Sequence, residues 1–394
     1  MGNFLRLMSC SCLLILTGCW DSLPIDERGF VIGSAIDMAG EIQDKNYDIT
    51  VTHQFVVPGN LSNLSQSGGG GGDKKAFQNI SATGQSPFQI TRNMLSLTDL
   101  IPNSEHLKIL IISDEVAREP DLFSSVTDSF IRDHEMRREV KVMITNGKAK
   151  DLLENESDTE QLPSRHINNI MENNIKSLEL IQSVRVGTLH QYLLNDDSYV
   201  LPLITLSGKD INYNGAAIFA GKSDQQVGTL SNEEIKGLRL VKGDITNGML
   251  PFHIDGELMI YEINTANSSI AINTANPEKM DISITINTEG FIAEMFGSRS
   301  LLDQQYINKI EKEISKKIEQ TVNNTVKKAQ QELGIDFFNF SSILRQKHYD
   351  VWKKIEKDWE DGEKLFSQSK VNVTAKAIVR DIGASDKAKD DGME

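Results

Sequence analysis

Cys19 is the residue whose neighbours best prepare it for covalent chemistry. It closes the tetrapeptide Leu16-Thr17-Gly18-Cys19, an apolar residue and two small ones before a thiol, which is the pattern of a lipobox. Small side chains are needed there because a peptidase must grip extended backbone beside the bond it cuts. The thiol of Cys19 receives the diacylglycerol. The upstream residues agree: Met1 to Leu16 carries one side-chain cation, Arg6, no acid, and an apolar stretch from Leu7 to Leu16. That stretch is shorter than the ~20 apolar residues a spanning helix needs, so residues 1–18 read as a cleavable secretory signal peptide. Stable anchoring takes two or more acyl chains, and a diacyl or triacyl cysteine carrying chains such as palmitate supplies them.

Other reactive patterns are missing. Cys10 and Cys12 leave with the signal peptide, so the expected mature chain has no disulfide and no cysteine-ligated metal in its folded part. The seven histidines are scattered from His53 to His348 without metal-ligand spacing. There is no Gly-x-Ser-x-Gly elbow, and the acids between Asp381 and Asp390 lack the spacing of a calcium loop. The glycine run Gly68–Gly72 is followed by Lys74-Lys75 but by no Ser or Thr where a phosphate loop needs one, and is expected to be a flexible loop. No enzyme activity, cofactor or metal is therefore expected. The densest charge cluster, Asp133-His134-Glu135-Met136-Arg137-Arg138, offers two guanidinium groups, Arg137 and Arg138, that suit a partner's carboxylate. The alternative is a solvated or internally paired turn.

Charge narrows the partners. The net charge of −15 over 394 residues disfavours nucleic acid and is repelled by anionic headgroups, so lipid rather than surface charge must hold the chain to a membrane. At 39% apolar and 25% charged residues, the chain has enough to bury for two or more domains.

The elements that would carry these residues follow from periodicity. Strands are expected over Gly29–Asp37 and Tyr47–Val57, the second half-buried, with Ile49, Val51, His53 and Phe55 on one face. A helix should open at Ser86-Pro87 and run to about Leu100. His106–Ile112 and Val140–Thr145 read as strands, Ser113 as a helix cap, and Asp121–Phe130, Ser164–Leu180 and Thr188–Leu194 as helices. Beyond an extended run at Tyr199–Leu206, strands are expected at Gly215–Phe219, Gln226–Leu230, Phe252–Asn264 and Asp281–Thr288. Cap character at Ser231-Asn232-Glu233-Glu234 precedes a helix ending near Lys242-Gly243. From about Ser300 to Leu333, Ile307, Ile310, Ile314, Ile318, Val322, Val326 and Ala329 form the stripe of a long amphipathic helix, with Gly334 ending it. A second helix is expected over Ser341–Glu360 and a last strand over Val371–Arg380.

The expected fold class is therefore α+β (mixed α/β) and multi-domain, with mixed and antiparallel sheets packed against long amphipathic helices. Its divisions are a signal peptide (1–18), a lipidated N-terminus and short tether (19–28), an N-terminal mixed α/β domain (29–195), a C-terminal α+β domain (196–383) and a disordered tail (384–394). The short tether places the N-terminal domain near the membrane.

In combination the motifs resemble the Ger(x)C family, the C subunits of spore germinant receptors. Cys19-Trp20-Asp21, Glu27-Arg28-Gly29-Phe30-Val31 and Ala35-Ile36-Asp37 are similar to the family's opening. His106-Leu107-Lys108 with Glu115-Val116-Ala117 resembles a second block, and Arg137-Arg138 through Gly147-Lys148-Ala149-Lys150-Asp151-Leu152-Leu153 a third. Asn214-Gly215-Ala216-Ala217-Ile218-Phe219, Leu230-Ser231-Asn232-Glu233-Glu234 and Gly237-Leu238 look like the start of its C-terminal domain. Gly334-Ile335-Asp336, Trp352, Trp359 and the closing strand fit its end. Ala216-Ala217 departs from the Gly-Thr or Thr-Ala of many relatives. The resemblance implies a non-enzymatic lipoprotein on the outer face of the spore inner membrane. There it would work with a multi-pass A subunit and a transporter-like B subunit to sense small nutrients. The nutrient would be met indirectly; the alternative is an extracytoplasmic solute-binding lipoprotein that captures a small ligand itself. The family carries over no catalytic residue, only Cys19.

Overall fold

The computed structural model describes residues 28–40, 47–61, 75–243, 245–297 and 299–381. The expected signal peptide, Cys19 and the tether up to residue 27, the Gly68–Gly72 loop and the expected tail lie outside the described residues.

The first part of the chain builds one large sheet with helices on both faces. In order it runs β1 (Arg28–Met38), β2 (Ile49–Val56), β3 (Phe77–Gly84), α1 (Pro87–Asn93), β4 (Ile101–Asn103), β5 (Ile109–Ser113), α2 (Asp114–Ala117) and α3 (Leu122–Arg132). It continues with β6 (Lys141–Thr145), α4 (Ala149–Glu154), α5 (Pro163–Met171), β7 (Val184–Arg185), α6 (Val186–Asn195), β8 (Tyr199–Ser207), β9 (Asp210–Ala220) and β10 (Gln225–Leu230). The sheet order is β10-β9-β8-β6-β5-β1-β2-β3, with β4 paired to β1 and β7 to β6. The central strands β1, β5, β6 and β8 are parallel, and the outer ones antiparallel.

The parallel centre explains the short apolar runs. Every residue of β5 and β6 is buried, as it must be where helices cover both faces of a sheet. Ile109 and Ile111 face α4 and α5, whereas Leu110 and Ile112 face the layer that holds α1, α2, α3 and α6. β2 differs from the half-buried strand expected, because α4 and α5 cover its polar face as well. There Gln54 donates to the Leu153 carbonyl at 2.7 Å and accepts the Ser164 N–H at 3.0 Å.

Several element ends also differ from expectation. The helix begun at Pro87 stops at Asn93 and passes into a 3-10 turn, Met94–Ser96. Ser113 makes no side-chain cap to α2, and its hydroxyl is buried with no partner among the described residues. The sheet does not stop at the expected 195/196 division. β8 pairs with β6 and brings β9 and β10 with it, a partnership set by tertiary contact and invisible in local pattern.

The second part is α7 (Asn232–Lys242), β11 (Gly248–Ile254), β12 (Glu257–Asn273), β13 (Asp281–Met295), α8 (Gln304–Lys327), α9 (Phe340–Lys347), α10 (Tyr349–Ile355), α11 (Leu365–Gln368) and β14 (Lys370–Asp381). A full capping box starts α7: the Ser231 N–H donates to Glu234 Oε2 at 2.7 Å, and the Ser231 hydroxyl accepts the Glu234 N–H. The strand expected over 252–264 is instead two strands joined at Asp255-Gly256, both with positive φ (55° and 89°), a hairpin turn matched to strand twist. The four-stranded sheet runs β11-β12-β13-β14, with β14 parallel to β13. Ile282, Ile284 and Ile286 are buried while Asp281, Ser283, Thr285 and Asn287 are exposed, the expected wet and dry faces.

The long helix is present with its stripe inward: Ile310, Ile314, Ile318, Val322 and Ala329 are fully buried. Asp303 caps its start, and a π-helical turn, Lys328–Leu333, extends it to Gly334 at φ 71°. The single helix expected over 341–360 is broken at His348 (φ −136°, ψ 46°), whose carbonyl accepts the N–H groups of Val351 and Trp352 and so starts α10.

α8 also seals the free edge of β14. The N–H groups of Ala375, Ala377 and Val379 donate to Glu319 Oε1 (2.9 Å), Ser315 Oγ (3.0 Å) and Glu311 Oε1 (2.9 Å). Four helical residues advance about 6 Å and two strand residues about 6.6 Å, so the two ladders stay in step. One apolar core runs through both sheets, from Ala35 and Ile109 through α7 and α8 to Ala377.

Candidate interaction surface

Arg137 and Arg138 lie in the turn between α3 and β6, and both are exposed. The turn is fixed by backbone: Asp133 Oδ1 accepts the Glu135 N–H (2.9 Å), the Arg137 carbonyl accepts the Val140 N–H (3.3 Å) and the Arg138 carbonyl accepts the Gly187 N–H (3.0 Å). Gly187 packs closely there, since a Cβ would lie 3.3 Å from Arg138 Cβ and 3.4 Å from the Arg138 carbonyl oxygen. Arg138 Nη1 reaches His190 Nδ1 at 3.5 Å. Neither arginine forms an ion pair among the described residues. They rim a cavity of about 300 Å³ together with Phe130, Arg132, His134 and His190.

A larger groove adjoins it. Between α1 and α3 lies a cavity of about 740 Å³ walled by Phe88, Leu95, Ile101, Pro102, Leu122, Val126, Phe130 and Met136. Its polar rim is mixed, with Arg92, Arg132, Asp128, Asp133 and Glu135, and Arg132 is paired to Asp128 at 2.6 Å. His53 closes it from the sheet side. Thr91 donates its hydroxyl to the Pro87 carbonyl (2.9 Å), so the 2.9 Å contact with His53 Nε2 is a donation from the imidazole. Burial lowers the pKa of His53 to about 4, and its Nδ1 has no partner among the described residues.

A third polar cluster joins the two parts of the chain, and nothing in its sequence pattern marked it as chemistry. The Asp336 carboxylate accepts the N–H groups of Phe340 (3.1 Å) and Ser341 (2.7 Å) at the start of α9, and the Trp359 Nε1–H (2.9 Å). Glu360 accepts the Asp336 N–H (2.7 Å) and the Ser198 hydroxyl proton (2.7 Å), and the same hydroxyl accepts the Gly221 N–H (3.0 Å). Arg345 pairs with Asp197 beside them. Burial, with the Glu360 charge next, pushes Asp336 up to about 7, and burial raises Glu360 as well. The signal available in sequence was an acid shortly before a helix start, two residues after Gly334.

Among the described residues, no group of three or more His, Cys, Asp or Glu side chains is placed to hold a metal ion, and no helix is long and apolar enough to cross a membrane.

Comparison with known proteins covers nearly the whole chain. Residues 21–206 match the family model described as the spore germination protein N-terminal domain, and residues 214–383 match that of the spore germination B3/GerAC-like C-terminal domain. The chain is 27% identical to spore germination protein YndF of Bacillus subtilis over 391 residues, covering 95% of each. It is 29% identical to spore germination protein A3 of the same organism, covering 94% of this chain and 96% of that one. For spore germination protein B3 the identity is 28%, with 93% and 95% covered. The crystal structure of the GerBC protein shares the fold, with a TM-score of 0.61 at 22% identity over 88% of this chain and 98% of that one.

Proposed function

The chain belongs to the Ger(x)C (GerAC-like) family of spore germination proteins, and from that membership we propose that it is the lipid-anchored, non-enzymatic C subunit of a nutrient germinant receptor. The observation that carries this reading is the ordered match of both family domains along residues 21–206 and 214–383. The Leu16-Thr17-Gly18-Cys19 lipobox supplies the anchor, which puts the chain on the outer face of the spore inner membrane beside the A and B subunits. Confinement near a membrane raises the effective concentration of the chain toward those partners. Spores lacking the gene, with redundant receptors also removed, should fail to respond to the cognate nutrient. Spores carrying Cys19→Ala should lose the chain from the membrane fraction and germinate poorly. Normal germination in both strains would sink the proposal.

A second reading, direct capture of a small solute, is favoured by the groove of about 740 Å³ between α1 and α3, a size typical of small-molecule sites. Calorimetry of the chain against amino acids and sugars separates the two. Tight binding by the isolated chain supports capture, and silence supports a scaffold.

A further inference from the structure

Arg28, Gly29 and Phe30 pair in parallel with Ile101, Pro102 and Asn103, and a Cβ on Gly29 would lie 2.9 Å from Leu100 Cβ. The root of the N-terminal segment is therefore packed against the end of the loop that leaves α1. That loop and helix carry three large apolar side chains in the open: Phe88 (61% exposed), Leu95 (43%) and Leu97 (58%). Phe88 and Leu95 line the groove together with Ile101 and Pro102. Exposed apolar residues gathered in one place mark a contact surface, whereas scattered single ones do not.

We infer that Phe88, Leu95 and Leu97 form a face that rests in the lipid surface to which the chain is tethered. The inference depends on Cys19 being lipidated, as proposed above. From Cys19 to Arg28 there are nine residue steps, which even fully extended span only ~30 Å. The anchor thus holds the bilayer within one tether length of Arg28, and the apolar face lies at the same root. Charge does not draw the chain down, since its net value is −15. The contact is apolar, in the way amphipathic surfaces seat at the headgroup boundary. Arg92, 5.3 Å from the Phe88 ring, is placed to meet a lipid phosphate from beside the inserted ring.

The test uses the full chain, processed, lipidated and reconstituted in vesicles, with single cysteines at Phe88→Cys, Leu95→Cys, Leu97→Cys and, as controls, Leu194→Cys and Leu302→Cys, both highly exposed (71% and 73%). Each carries an environment-sensitive fluorophore, and vesicles contain a lipid-borne quencher. Labels at 88, 95 and 97 should be quenched several-fold more than those at 194 and 302 in zwitterionic vesicles, with no gain from anionic lipid. No quenching at 88, 95 and 97 in chain that floats with vesicles and shows the lipid mass on Cys19 overturns the face alone. Equal quenching at the control positions overturns it too. A chain that neither floats nor carries the lipid mass overturns the anchor and the face together.

Discussion

The carboxylate of Asp37 accepts the N–H of Ala149 at 2.6 Å, and its second oxygen accepts the N–H of Lys150 at 2.9 Å. Asp37 lies in β1 and Ala149 opens α4, so an acid from one strand caps a helix more than a hundred residues later. Two of the sequence blocks that carry the family resemblance are thereby one physical unit. Asp37→Ala should cost about 2 kcal/mol in chemical denaturation, because it strands two backbone donors at a buried helix start. Asp37→Asn, which keeps one acceptor, should lose clearly less.

Gly237 accounts for another block. It lies where α7 crosses α8, and a Cβ there would come 2.1 Å from Thr325 Oγ1 and 2.9 Å from the Thr321 carbonyl. The crossing is tied by Thr325 donating to the Glu234 carbonyl (3.1 Å) and by the Lys328–Glu234 ion pair (2.8 Å). Gly237→Ala should destabilise by about 3 kcal/mol through overpacking. Adding Thr325→Ala should restore only part of it, since the backbone oxygen remains. Thermal melts of the two variants decide this.

The sealed edge of β14 gives a solubility prediction. Combining Glu311→Ala, Ser315→Ala and Glu319→Ala removes three acceptors worth about 1 kcal/mol each and opens a strand edge. The variant should show concentration-dependent association by light scattering. Glu311→Gln with Glu319→Gln retains acceptors and should remain like the parent.

Asp336 sets a pH dependence. Its folded pKa of about 7 lies above the unfolded value of ~3.9, so the native state binds more protons between roughly pH 4 and pH 7. Its contribution is complete below that window and is lost as pH rises through about 7. His53, lowered to about 4 by burial, has the opposite sign, favouring the fold as pH rises from about 4 to its unfolded ~6.5. Denaturation of the parent and of Asp336→Asn across this range isolates the first effect, because His53 contributes equally to both. The variant should gain stability relative to the parent as pH rises. A constant difference would refute the assignment.

Much of the fold was legible where one local rule dominates. The α8 stripe, the Ser231 capping box, the Gly334 stop and the alternation of β13 were all readable, because each depends on neighbours within a few residues. What failed to show was tertiary. The joining of β8 to β6 and the covering of Gln54 depend on partners far away in sequence. The site divides in the same way. Arg137 and Arg138 stood out by charge density, while Asp336 was only an acid two residues after Gly334 until Trp359 and Glu360 closed around it.

The core that runs unbroken from Ala35 in β1 to Ala377 in β14 has a mechanical corollary. Close-packed interiors have low compressibility and pass strain on. Two bodies on a polar linker would absorb a tilt at the hinge, but this molecule has apolar packing where such a hinge would be. A displacement imposed at the β1 end therefore meets packed side chains rather than a hinge on its way toward α8.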